Sequence, residues 1–132
     1  MPSPRKVVLA DDDAHITCVV AMRLETAGYT VFVARDGEEA LDLVRQNLPD
    51  LVITDLQMPR MSGLELSIKL GESPVTATIP IIMLTARGYL ADESQMAKTS
   101  IKRVLPKPFS AREVLALAAE VIADNEKKAS AA

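Results

Sequence analysis

Five polar or charged residues of this chain stand just at or beyond the ends of apolar runs: Asp11, Asp12, Asp55, Thr85 and Lys107. Asp55 closes the apolar run Leu51-Val52-Ile53-Thr54, and Pro59 and Gly63 force a turn behind it. An acid on the last residue of a buried strand costs solvation, so a use for it is expected. Asp11 and Asp12 follow the apolar run Lys6–Ala10, Thr85 follows Ile81–Leu84, and Lys107 follows Ile101–Leu105. Three carboxylates brought together repel and raise one another's pKa unless a cation joins them. Oxygen ligands with no His or Cys beside them favour Mg²⁺ over Zn²⁺. An aspartate carboxylate can act as a nucleophile and form an aspartyl phosphate. Such transfer needs in-line positioning and neutralised oxygens, which Mg²⁺ and the Lys107 ammonium would supply, with a hydrogen bond from Thr85.

These residues converge only if the elements between them alternate. Lys6–Ala10 reads as the first strand. Ile16, Val19, Val20 and Leu24 then recur at helical spacing, with Asp13 placed to cap the helix and Gly28 to stop it. Tyr29–Ala34 alternates around Val31 and Val33 as a second strand. Asp36 and Glu39 have capping-box spacing before a helix faced by Ala40, Leu41, Val44 and Leu48, which Pro49 ends. Leu51–Thr54 is strand three, and Leu64–Leu70 a short helix with no clear face. Gly71–Pro80 is a loop, and Ile81–Leu84 strand four. Arg87–Lys98 reads as a polar helix, and Ile101–Leu105 as strand five, interrupted by Lys102 and Arg103. Ser110 and Glu113 form a capping box for a last helix reaching about Asp124, with Asn125–Ala132 as a flexible C-terminal tail.

Strand–helix alternation of this kind predicts an α/β fold with a doubly wound parallel sheet covered on both faces. Strands one, three and four are the most continuously apolar, as central strands are, whereas two and five carry polar residues, as edges do. That division suggests the order 2-1-3-4-5 by similarity to the flavodoxin-like arrangement, whose ligands bind at the carboxyl ends of the strands. The candidate residues all fall at those ends.

Composition narrows the function. The 132 residues suit one domain, expected over residues 5–124, and 48% hydrophobic content is a globular value. A net charge of −3 argues against a general nucleic-acid binder. No apolar run approaches the roughly 18 residues that span a membrane. The lone Cys18 cannot form an internal disulfide and is expected in the core, in keeping with a cytoplasmic setting. His15 stands alone on the first helix and is expected to face solvent or a partner.

Taken together, Asp11-Asp12, Asp55 with Met58-Pro59 and Gly63, Leu84-Thr85-Ala86, and Lys107-Pro108-Phe109 resemble the receiver domain of two-component response regulators. The resemblance spans about Arg5 to Ile122. It implies that Asp55 is the phosphoacceptor and that Asp12 ligates Mg²⁺ directly, with Asp11 helping through water and the Gln57 carbonyl as a further ligand. It implies that Lys107 pairs with Asp55 and then with the phosphoryl oxygens, that Thr85 swings toward them, and that Lys107-Pro108 is cis. The implied donor is a histidine kinase or a histidine phosphotransfer protein, and the implied output a downstream protein partner in trans, from a monomer or weak dimer. The face carrying Lys98, Arg103 and Arg112 is the expected partner surface. Turnover would be limited to self-phosphorylation and autodephosphorylation.

Two rivals compete. A phosphatase of the haloacid dehalogenase type also uses an Asp nucleophile, but wants a second Asp two residues on, where Gln57 stands. The chain could instead be a receiver fragment of a hybrid histidine kinase. The sequence also departs from the family pattern. Val104 replaces the usual aromatic three residues before the lysine, with Tyr89 as a possible substitute. Ser100 stands where Gly is usual, which predicts a different local turn or fraying. Gln57 and Arg87 occupy positions that tune phosphoryl lifetime in the family.

Overall fold

A computed structural model describes residues 4–85 and 99–131. Five parallel strands, β1 (Lys6–Ala10), β2 (Thr30–Ala34), β3 (Leu51–Asp55), β4 (Ile81–Thr85) and β5 (Ile101–Pro106), form one sheet. Its order is β2-β1-β3-β4-β5, as the flavodoxin-like pattern suggests. The described helices are α1 (Ala14–Thr26), α2 (Gly37–Asn47), α3 (Gly63–Gly71) and α4 (Ala111–Ala131). The helix expected over Arg87–Lys98, together with Tyr89, lies outside the described residues.

Alternation along each strand divides the core in two. Val7, Leu9, Leu51, Ile53, Ile82 and Leu84 face α1 and α4, against Val20, Leu24, Val114 and Val121. Val8, Ala10, Val52 and Ile81 face α2 and α3, against Ala40, Val44, Leu66 and Leu70. Every residue of β3 and β4 is buried, so Asp55 and Thr85 end strands with no solvated face.

The helix starts follow their capping chemistry. The Asp13 carboxylate accepts the His15 and Ile16 N–H groups. Ser110 and Glu113 make both bonds of a capping box. Asp36 accepts the Glu39 N–H at 2.8 Å, but the Glu39 carboxylate returns to the Arg35 N–H, one residue short of a closed box. The boundaries of α3, uncertain from its apolar residues, are set by a box between Ser62 and Glu65.

Three expectations need correction. Cys18 is exposed, not core: α1 is apolar nearly all round, and Thr17, Val20, Ala21 and Leu24 take the inward face while Val19 and Met22 point out with Cys18. The last helix runs on to Ala131, past Asp124, because the residues after its apolar stripe are compatible with helix without a core to cover. Strand five is bulged rather than merely interrupted. Ile81 pairs with Ile101 but Ile82 with Arg103, which leaves Lys102 as the extra residue. That shift lets Ile101 pack on the α2–α3 side and Leu105 on the α1–α4 side. Ser100 has no left-handed backbone, in line with the different local turn expected there. It is buried, its hydroxyl donates to the Ile79 carbonyl at 2.6 Å, and its own carbonyl accepts the Ile81 N–H.

Candidate functional site

Parallel pairing brings the ends of β1, β3, β4 and β5 to one rim. Asp11 follows β1 and is 1% exposed, Asp55 ends β3 at 6%, and Asp12 is exposed beside them. One carboxylate oxygen from each of Asp11, Asp12 and Asp55 lies within 4.8 Å of the others. Lys107 reaches in from the end of β5, its Nζ 3.4 Å from Asp55 Oδ1 and 3.6 Å from Asp11 Oδ2. Thr85 is buried at the end of β4, and its carbonyl accepts the Lys107 N–H at 2.7 Å, so the two residues are tied through the backbone. The Lys107-Pro108 peptide is cis, as the resemblance implied.

Burial and charge strain this group. Desolvation pushes the Asp11 carboxyl up to about 6, opposed by the hydrogen bond from the Asp13 N–H, while the Asp55 charge raises it further and Lys107 lowers it. Desolvation also raises the Asp55 carboxyl, with Lys107 pulling the other way. Asp11 Oδ1 accepts the Asp13 N–H at 2.9 Å, but Oδ2 is buried with no hydrogen bond. The Lys107 ammonium faces that oxygen at 3.6 Å without a hydrogen bond, so the oxygen's lone pairs stay open to a further cation. The oxygen-only donor set and an Oδ2 with no hydrogen bond both fit Mg²⁺.

The loop after Asp55 is held from below. Leu56 donates to the Leu84 carbonyl, and Gly63 donates to the Leu56 carbonyl, each at 2.8 Å. A Cβ on Gly63 would stand 2.3 Å from the Asp55 carbonyl oxygen, so only glycine lets α3 start this close to the strand end. Gln57 is exposed in this loop. His15 is exposed on α1 and outside the acidic group. On the expected partner surface, Arg103 is engaged by Glu120 and Asp124 of α4 and Arg112 is exposed, while Lys98 and Arg87 lie outside the described residues. Sequence reasoning missed Gly37, whose closeness to Met61 is a contact between distant residues with no local signal.

The comparisons agree with this geometry. Residues 7–119 match the response regulator receiver domain, and the chain belongs to that family. It is 40% identical over 111 residues to the transcriptional regulatory protein CpxR of Escherichia coli, covering 84% of this chain and 46% of that protein. It is 36% identical over 112 residues to the phosphate regulon transcriptional regulatory protein PhoB of Pseudomonas aeruginosa, covering 85% of this chain and 49% of that protein. The chain therefore spans about half the length of these curated relatives. The crystal structure of the chemotaxis response regulator CheY4 of Vibrio cholerae superposes with a TM-score of 0.82 at 30% identity, covering 89% of this chain and 98% of that one. The protein is a receiver domain of the two-component signalling class, and among its described residues no helix is long and apolar enough to cross a membrane.

Proposed function

We propose that this receiver domain accepts a phosphoryl group on Asp55 from a phosphohistidine of a histidine kinase or histidine phosphotransfer protein, with Mg²⁺ bound, and passes the signal to a protein partner. The observation that supports it most is the Asp11–Asp12–Asp55 group with Lys107 3.4 Å from Asp55. An Asp55 carboxylate oxygen attacks phosphorus, and the P–N bond to the donor imidazole breaks with its electron pair returning to the ring nitrogen. Asp11, Asp12, Asp55 and the Gln57 carbonyl would hold the Mg²⁺, which supplies charge neutralisation for the oxygens in transfer. Lys107 supplies a second positive charge. Its link through the Thr85 carbonyl couples the two residues that answer the new charge of roughly −1.5 to −2.

Regulation, not substrate turnover, is the proposed role. The relatives named as transcriptional regulators extend well beyond the matched region. Within this chain a net charge of −3 favours a protein partner over nucleic acid. We take residues 5–124 as the working receiver unit, cytoplasmic and monomeric or weakly dimeric. Incubation with a small-molecule phosphodonor and Mg²⁺ is expected to add one phosphoryl group by intact-mass spectrometry, and Asp55→Asn to abolish the addition. Equal labelling of the variant overturns the assignment.

A further inference from the structure

The loop that carries Gln57 contains a strained turn. Arg60 has φ +70, and the Met61 N–H donates to the Pro59 carbonyl at 2.8 Å, which closes a γ-turn around Arg60. That form of the turn is rare and strained, and a non-glycine residue there persists only when its surroundings hold it. The start of α2 provides the hold. A Cβ on Gly37 would stand 2.3 Å from the Met61 carbonyl oxygen and 2.5 Å from the Met61 Cβ, so the helix start lies directly against the turn. Met61 is itself buried against the α2–α3 core. Asp36, the N-cap of α2, divides its carboxylate: Oδ1 accepts the Glu39 N–H at 2.8 Å, and Oδ2 faces the Arg60 Nη1 at 3.4 Å. None of these residues belongs to the acidic group, yet Gln57 and Arg60 share one short loop between two glycine contacts, Gly37 on Met61 and Gly63 on Asp55.

We propose that the start of α2, through Gly37 and Asp36, is a positioning element that holds the Arg60 turn and with it the Gln57 carbonyl, and so sets how tightly the site takes Mg²⁺. The inference rests on the phosphoacceptor reading. A Cβ at residue 37 must displace the Met61 backbone, not a flexible side-chain end. Asp36→Ser keeps an N-cap but is too short to reach Arg60.

Calorimetric titration of Mg²⁺ into the full chain at pH 7.5, well below unfolding, tests this. Gly37→Ala is expected to weaken Mg²⁺ binding about tenfold, as loss of an outer supporting contact does at metal sites. Asp36→Ser is expected to weaken it about two- to threefold, in keeping with an ion pair whose Arg60 end is exposed. Gly28→Ala serves as the control: its φ of +104 makes the substitution destabilising, but it lies at the far end of α1 and leaves the affinity unchanged. Amide exchange in the metal-free protein is expected to quicken across residues 57–62 in Asp36→Ser, a readout that stands if Gly37→Ala does not fold. Wild-type affinity and wild-type loop exchange in Asp36→Ser, or stability loss without affinity loss in Gly37→Ala, overturn the proposal. A wild-type protein that takes no Mg²⁺ at all sinks the site reading first, and this inference with it.

Discussion

The Lys107 ammonium stands 3.4 Å from Asp55 Oδ1, reaching from the end of β5 past the end of β4 to that of β3. It is the cation that holds the Asp55 carboxyl down against desolvation. Lys107→Met keeps the stem and removes the charge. Phosphoryl labelling of Asp55 is expected to slow on the order of a hundredfold, the usual loss when one charge-stabilising donor is taken from a transfer site. A time course by intact mass checks it, and an unchanged rate removes Lys107 from the chemistry.

Ser100 ties the start of β5 to the segment just before β4 through its 2.6 Å bond to the Ile79 carbonyl, two residues ahead of the strand. Ser100→Ala leaves that buried carbonyl without this donor and is expected to cost about 1–2 kcal/mol in denaturant unfolding. Ser100→Gly, the residue usual in the family, is expected to be no better, since no left-handed turn is present to reward it. A glycine variant as stable as wild type would contradict this.

The central strands were legible because long apolar runs report burial on both faces, and Leu51–Asp55 and Ile81–Thr85 are indeed wholly buried, while the order among the strands rested on the flavodoxin-like pattern. The site was legible for a related reason: in a parallel sheet every strand ends on the same rim, so Asp11, Asp55, Thr85 and Lys107 had to meet. What stayed hidden depends on contacts that sequence spacing does not encode. The first helix is apolar on both sides, so periodicity gave Cys18 no direction. The bulge at Lys102 is one extra residue in a strand already read as irregular. The approach of Gly37 to Met61 and the left-handed backbone at Leu48 and Arg60 are set by the assembled fold.

Leu48 caps α2 in the left-handed region, with φ 45 and half its surface exposed. A β-carbon there costs roughly 1–2 kcal/mol, while its apolar side chain gains little. Leu48→Gly relieves the clash and is expected to stabilise by about 0.5–1 kcal/mol after the entropy cost of glycine. Thermal unfolding is expected to rise by about 3 °C. A fall in the transition would mean that the exposed leucine packs more than its surface suggests.

Asp11 links metal binding to pH. Its carboxyl ionises near 3.8 in the unfolded chain and near 6 in the folded one. Between those values the folded protein holds more protons than the unfolded one, so this group's contribution to stability falls as pH rises. The cost is complete above about 6 and absent below about 3.8, and its size is on the order of 3 kcal/mol. Other carboxylates titrate as well, so the comparison is wild type against Asp11→Asn, which can keep the bond from the Asp13 N–H. In EDTA at pH 7.5 the variant is expected to be more stable than wild type, and the gap to close as pH falls toward 4.5. Saturating Mg²⁺ at pH 7.5 is expected to shrink the gap from the other side, because a cation stabilises the ionised carboxylates only in the wild type's full set. Denaturant midpoints across pH, with and without Mg²⁺, measure all three, and a gap that ignores both pH and metal would show that Asp11 is not the ionising member of this site.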